Sequence, residues 1–177
     1  EKVPMKIDTP KLESELTRLG LEVDSIEKLK NKSDVLFDLD LTPNRGDCFS
    51  VLGIARELAA VNNKKIKKES NGLIASKLSP NSKVKISAKA ACPRYCFIEI
   101  YNLDNTKNLP SFIKERLEAG GINSINPVVD ILNYVMLDLG QPMHAFDLNK
   151  IGKQINVRFA KSKEKIHLLD ESSKVLN

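Results

Sequence analysis

One histidine of this chain stands where an imidazole can do chemistry. His144 lies in Gly140-Gln141-Pro142-Met143-His144-Ala145-Phe146-Asp147, where glycine and proline end a helical pattern and force a loop. A loop imidazole near neutrality could act as a base or orient a water. Asp147, three residues on, is a candidate to bind the other ring nitrogen and fix the tautomer. Spacing alone favours the plainer alternative, a structural or exposed histidine. Asn133, eleven positions before His144, falls on the helix that leads into the loop. Its amide could hold a carbonyl or a ribose hydroxyl. A surface or capping amide is an equally good reading of Asn133 from the residues alone.

Other constellations are weaker. Cys92 and Cys96 have the separation of half a zinc knuckle, but no second pair follows. Cys48 and two isolated histidines would be a poor remaining ligand set. No metal site is therefore expected, and a buried thiol is the better reading. His167, between Ile166 and Leu168 in a strand pattern, reads as structural. There is no GxxxxGK[ST] or GxGxxG loop to cradle phosphates and no Gly-x-Ser-x-Gly elbow. An ATP site within this segment is not expected.

The elements that must position these residues are legible from periodicity. Thr9-Pro10 reads as a helix cap followed by proline, with Leu12, Leu16 and Leu19 on one face and Gly20 as the stop. Val35, Phe37, Leu39 and Leu41 alternate with Leu36, Asp38 and Asp40, a half-buried strand. After the turn Thr42–Gly46, Asp47 is the expected cap of a helix running to about Val61. Strands are expected at Val84–Ala88 and Arg94–Tyr101, then helices at Pro110–Ala119 and Pro127–Leu139, each stopped by glycine. Ile155, Val157 and Phe159 form a further strand, with Lys165–Leu169 expected beside it. The class is α+β. Two mixed blocks, 1–64 and 83–177, are joined by a lysine-rich polar linker, 65–82, and the lysine tract Asn62–Lys68 runs across its start. Those lysines read first as a solvated linker and second as a phosphate-contacting patch.

Composition sets outer bounds. Of 177 residues, 41% are hydrophobic and 29% charged, enough for a core and too ordered in character for an intrinsically disordered chain. The longest apolar run, Val128–Leu139, is broken by Asp130, Asn133 and Asp138, so no membrane span is expected. Three cysteines cannot all pair internally, which points to a reducing, cytoplasmic setting. The chain starts at Glu1 without a signal-peptide pattern, as expected of a fragment. A net charge of +5 is compatible with a polyanionic partner.

Three segments, taken in order, are far more specific than any one of them. They are Leu41-Thr42-Pro43-Asn44-Arg45-Gly46-Asp47-Cys48, then Cys92-Pro93-Arg94-Tyr95, then Val128-Val129-Asp130 through Asn133-Tyr134-Val135-Met136-Leu137 to Gly140–Asp147. Together they closely resemble the β subunit of bacterial phenylalanyl-tRNA synthetases. Gly20-Leu21-Glu22-Val23-Asp24 likewise looks like the end of that family's first helix and the strand after it. The resemblance implies a cytoplasmic α2β2 enzyme that joins phenylalanine to tRNA(Phe) with ATP and Mg2+. Its aminoacylation site lies on the α subunit, and its β subunit carries a module that hydrolyses Tyr-tRNA(Phe). It also implies that 1–64 is the N-terminal scaffolding domain and 83–177 the first part of the editing module. Asn133 and His144 then fall on positions lining the editing pocket.

The chain departs from the pattern in three places. The family usually inserts an oligonucleotide-binding fold between the segments matching Lys30 and Asp34, and here the join is immediate. The second half of the editing module, with its Gly-rich loop and tyrosine-recognising glutamate, is not in the sequence. Leu132 stands where the family commonly has threonine beside the pocket asparagine. The resemblance implies ester hydrolysis in which His144 helps place a water or the terminal ribose and Asn133 holds the ester. A hydrogen-bonding site for the phenol would separate tyrosine from phenylalanine, because the analogue lacking the hydroxyl leaves polar groups unpaired. Two other classes stay open: an editing-deficient scaffold or tRNA-binding module, and a freestanding trans-editing hydrolase.

Overall fold

The structure, a computed structural model, describes residues 2–29, 34–67, 83–152, 154–168 and 171–176. Most of the expected linker, 68–82, and the join at 30–33 lie outside the described residues. The content is mixed helix and strand, with four α-helices and three two-stranded sheets among the described residues. The chain divides into two compact units that are interleaved along the sequence. The first comprises 1–72 and 104–145, the second 73–103 and 146–177. The contacts thus group the two later helices with the first block, because their apolar faces find partners there.

In the first unit, α1 (Thr9–Arg18) is capped by Asp8, whose carboxylate accepts from the Lys11 N–H. The cap sits one residue earlier than expected, which leaves Pro10 inside the first turn, where its missing N–H costs nothing. Gly20, at φ +75°, turns the chain into β1 (Glu22–Lys28). That strand pairs antiparallel with β2 (Val35–Asp40). The expected alternation holds: Phe37, Leu39 and Leu41 pack with Val23 against a core of Leu16, Leu21, Cys48 and Leu58.

A 3-10 turn, Gly46–Cys48, precedes α2 (Val51–Val61). Here the expected cap is corrected. Ser50, not Asp47, starts the helix, its hydroxyl accepting from the Gly53 N–H. The Asp47 carboxylate is taken by a stronger partner, as described below. Helices α3 (Ser111–Ala119) and α4 (Pro127–Leu139) follow within one residue of the expected bounds.

The second unit holds short strands. β3 (Val84–Ile86) pairs in parallel with β4 (Ile155–Val157). β5 (Lys165–His167) pairs antiparallel with β6 (Ser173–Val175), so the strand expected beside β4 forms a hairpin with the residues after it instead. A local antiparallel return closes a short loop at little entropic cost. Residues 94–101 alternate in burial but form no ladder among the described residues, so the second expected strand is corrected as well. Alternation records a two-faced chain and says nothing of a partner. The segment is anchored by side chains: Lys83 bridges Glu99 at 2.7 Å, and the Tyr101 hydroxyl donates to the same carboxylate.

Candidate functional site

Helix α4 carries two of the candidate residues, and the sequence around it explains its rigidity. Asn126 caps it by accepting from the Val129 N–H, and Pro127 presets the first turn. Gly140 ends it in the left-handed conformation at φ +76°. Asp130, in the first turn and only 5% exposed, accepts from the Ser124 hydroxyl at 2.6 Å and the Ile125 N–H at 2.8 Å. A carboxylate near a helix start also meets the positive end of the helix dipole. Asp130 therefore staples the preceding loop to the helix.

Three further contacts fix α4 along its length. The Tyr134 ring meets Phe112 of α3 edge to face, with centroids 5.9 Å apart. The Asp138 carboxylate is bridged by the Lys2 ammonium at 2.8 Å, both side chains largely buried. At the end, Gly140 lies so close to the start of α2 that a Cβ there would stand 3.2 Å from the Ser50 Cβ and 3.3 Å from the Phe49 carbonyl oxygen. A helix held at both ends and in the middle makes a firm platform for side chains on its remaining surface.

Leu132 and Asn133 sit side by side on this platform, both half-buried. Asn133 precedes the helix end by six residues, or roughly 9 Å at 1.5 Å per residue. His144 is exposed in the loop that Gly140 launches, within the same compact unit. Asp147 belongs to the second unit, and its carboxylate accepts from the Asn149 N–H at 3.0 Å in a turn of its own. The amide, the apolar side chain beside it and the imidazole thus share one unit. Sharing a unit is as far as the structure brings Asn133 and His144 together.

The other motif residues have roles the spacing did not disclose. Arg45 is a hub. Its guanidinium donates to both Asp47 carboxylate oxygens at 3.1 Å, to the Leu19 carbonyl at 3.1 Å and to the Cys48 sulfur at 2.9 Å, and lies 3.3 Å from Glu57. It ties the end of α1, the 3-10 turn and α2 together. The fork holds the Asp47 carboxyl below the usual carboxylate range. Burial, reinforced by the Asp47 hydrogen bond, pushes the Cys48 thiol up, so this cysteine is a packing residue rather than a nucleophile. The approach is so close that a Cβ on Gly53 of α2 would lie 2.0 Å from the Asp47 carbonyl oxygen. The signal available in the sequence was Arg two residues before Asp, the reach of a bidentate pair.

The Cys92 thiol donates to the Arg94 carbonyl at 3.3 Å, and no group of three or more His, Cys, Asp or Glu side chains suited to a metal occurs among the described residues. His167 stands on exposed strand β5, its ring 2.8 Å from the Ser173 hydroxyl across the hairpin. No helix of the described residues is long and apolar enough to cross a membrane.

Comparison with known proteins adds what geometry cannot. Residues 91–177 match the model of the B3/4 domain family. Over 144 residues, 81% of this chain, the sequence is 49% identical to the phenylalanine–tRNA ligase beta subunit of Legionella pneumophila (strain Paris), covering 18% of that protein. It is 46% identical over 148 residues to the subunit of the same name from Coxiella burnetii, covering 84% of this chain and 19% of the relative. With the Aliivibrio fischeri subunit the identity is 43% over 161 residues, 91% of this chain and 20% of the relative. The chain spans about a fifth of the length of the relatives it matches.

Proposed function

The chain belongs to the phenylalanine–tRNA ligase beta subunit family, and from that premise we propose that it works as a segment of a β subunit contributing to hydrolytic editing of Tyr-tRNA(Phe). The whole enzyme would be a cytoplasmic α2β2 heterotetramer that charges tRNA(Phe) with phenylalanine, using ATP and Mg2+ bound outside this segment. Residues 1–64 would form the scaffolding domain and 65–82 the linker. Residues 83–177 would be the first part of the editing module.

The observation that carries the reading is near-half identity across four-fifths of the chain, with the B3/4 match covering the Asn133–His144 region. The chemistry suits it. Tyrosine and phenylalanine differ by one hydroxyl, and a second site that hydrogen-bonds the phenol can reject the product that should be kept. Asn133 would hold the ester, and His144 would place the water or the terminal ribose. The transition state gains most from donors placed where the oxyanion develops. Leu132, an apolar side chain where relatives of the resembled pattern commonly have threonine, favours a second reading: a scaffold and tRNA-binding module with little editing. Purifying the complete β subunit with its α partner separates the two. A complex that charges tRNA(Phe) and hydrolyses Tyr-tRNA(Phe) supports the first reading. One that charges but leaves Tyr-tRNA(Phe) intact supports the second.

A further inference from the structure

We infer that the amino-terminal block clamps the end of α4 and thereby sets where His144 stands, which makes Gly140 and the Lys2–Asp138 pair positioning residues of the editing site. The editing role rests on the function proposed above; the clamp rests on the contacts alone. Its amino-terminal half, Lys2 with Phe49 and Ser50, lies outside the B3/4 match at 91–177, whereas Asp138, Gly140 and His144 lie inside it. All of them belong to the first compact unit.

Two separate contacts make the clamp. Asp138 stands in the last turn of α4, which carries no basic residue. A carboxylate there faces the negative end of the helix dipole, an unfavourable place for an acid. The Lys2 ammonium offsets this at 2.8 Å, with the two side chains only 13% and 19% exposed. Two residues on, Gly140 holds φ +76°, and a Cβ there would lie 3.2 Å from the Ser50 Cβ and 3.3 Å from the Phe49 carbonyl oxygen. The seat is itself fixed, because the Ser50 hydroxyl caps α2 by accepting from the Gly53 N–H at 2.9 Å.

The link from the clamp to the imidazole is short and stiff. Gly140 is left-handed, and its N–H donates to the Met136 carbonyl at 2.8 Å. Pro142 fixes its own φ at about −65° and disfavours helical backbone at Gln141. Between Gly140 and His144, Met143 alone keeps ordinary backbone freedom. Four residues of chain reach at most ~14 Å, so a tilt at Gly140 passes to His144 with little slack. A displacement of about 1 Å at a reacting group can cost on the order of a hundredfold in rate.

The test uses the complete β subunit with its α partner and reads hydrolysis of Tyr-tRNA(Phe) together with amide exchange across 139–145. Gly140→Ala should lower kcat for hydrolysis about tenfold and change KM less than about twofold, because a displaced imidazole spoils the transition state and leaves substrate binding in place. Exchange across 139–145 should quicken. Ser50→Gly removes the Cβ nearest to the new methyl group, and a helix cap tolerates glycine. Combined with Gly140→Ala, it should recover part of the lost kcat. Lys2→Asp sets two carboxylates together and should also lower kcat. Adding Asp138→Lys should restore it, since the reversed pair keeps the bridge and puts the cation at the helix end. This pair decides the matter if Gly140→Ala does not fold. Unchanged kcat and exchange in Gly140→Ala and in Lys2→Asp would overturn the clamp. Losses that neither second change recovers would show general destabilisation and overturn it too. A wild-type enzyme that leaves Tyr-tRNA(Phe) intact would overturn the editing role alone, and quickened exchange in the variants would still support the clamp.

Discussion

The two compact units solve the problem of stability in different ways. The first buries Leu16, Leu21, Cys48, Leu58 and Leu117 almost completely and crosslinks its elements through Arg45, Asp130 and Lys2. Among the described residues of the second, Ala88 is the one hydrophobic side chain in the buried class, while Ile98, Ile100, Tyr101 and Phe159 are each about 60% exposed or more. Its three-residue strands pair two by two, and ion pairs flank them: Lys83 with Glu99, and Arg158 with Glu164 at 2.6 Å. Area removed from water is the dominant favourable term in folding, and exposed ion pairs contribute little. The first unit has the makings of an independent fold. The second has the polarity pattern of a sheet whose apolar face needs cover.

The comparison is easiest to break at Gly53. Gly53→Ala drives a methyl group into the backbone of the 3-10 turn, and neither element can yield without losing the Arg45 contacts. The expected loss is about 3 kcal/mol or more, read as a fall in the denaturation midpoint of the first unit. Leu117→Ala, at a fully buried position, should cost ~2–5 kcal/mol through lost transfer energy and a residual cavity. Ile166→Ala, at a 42% exposed position on β5, should stay within ~0.5 kcal/mol. Equal costs at Leu117 and Ile166 would show that the second unit has a core of its own.

A smaller effect sharpens the same contrast through pH. The Glu164 carboxyl is held down to about 2 by Arg158, with help from the Lys161 N–H. A carboxyl depressed from its ordinary value near 4.5 stabilises the fold above that value. The contribution is lost as pH falls from 4.5 towards 2. Amide exchange in β5 and β6 should therefore quicken over that interval, and Glu164→Gln should abolish the change. The Asp47 carboxyl is depressed in the same direction, but apolar packing around Cys48 should keep the first unit's amides protected further into acid.

Helix α4 was fully legible because its signals are local: an asparagine cap, proline, an apolar pattern and a terminal glycine all agree. The start of α2 was misplaced because Asp47 is a good cap by residue type, and only the fold reveals that Arg45 occupies its carboxylate. Strand pairing was less legible still. The alternation at 94–101 and the apolar residues at 165–168 look alike, yet the second finds a hairpin partner and the first finds none among the described residues. The candidate pocket came from motif order rather than from periodicity. Asn133 and His144 look unremarkable singly, and Asp130, which steadies their helix, gave no signal beyond an acid in a first turn.

The most direct test of the editing proposal is hydrolysis of Tyr-tRNA(Phe) by the complete α2β2 enzyme carrying His144→Ala. The account predicts a loss of ~30- to 1,000-fold, the equivalent of roughly 2–4 kcal/mol of transition-state stabilisation. On the proposed reading, which puts charging at the other subunit's site, charging of tRNA(Phe) with phenylalanine should stay nearly intact. Leu132→Thr should raise the hydrolysis rate if a missing hydroxyl is what limits it. Unchanged hydrolysis in both variants would contradict the account and leave this segment as a scaffold.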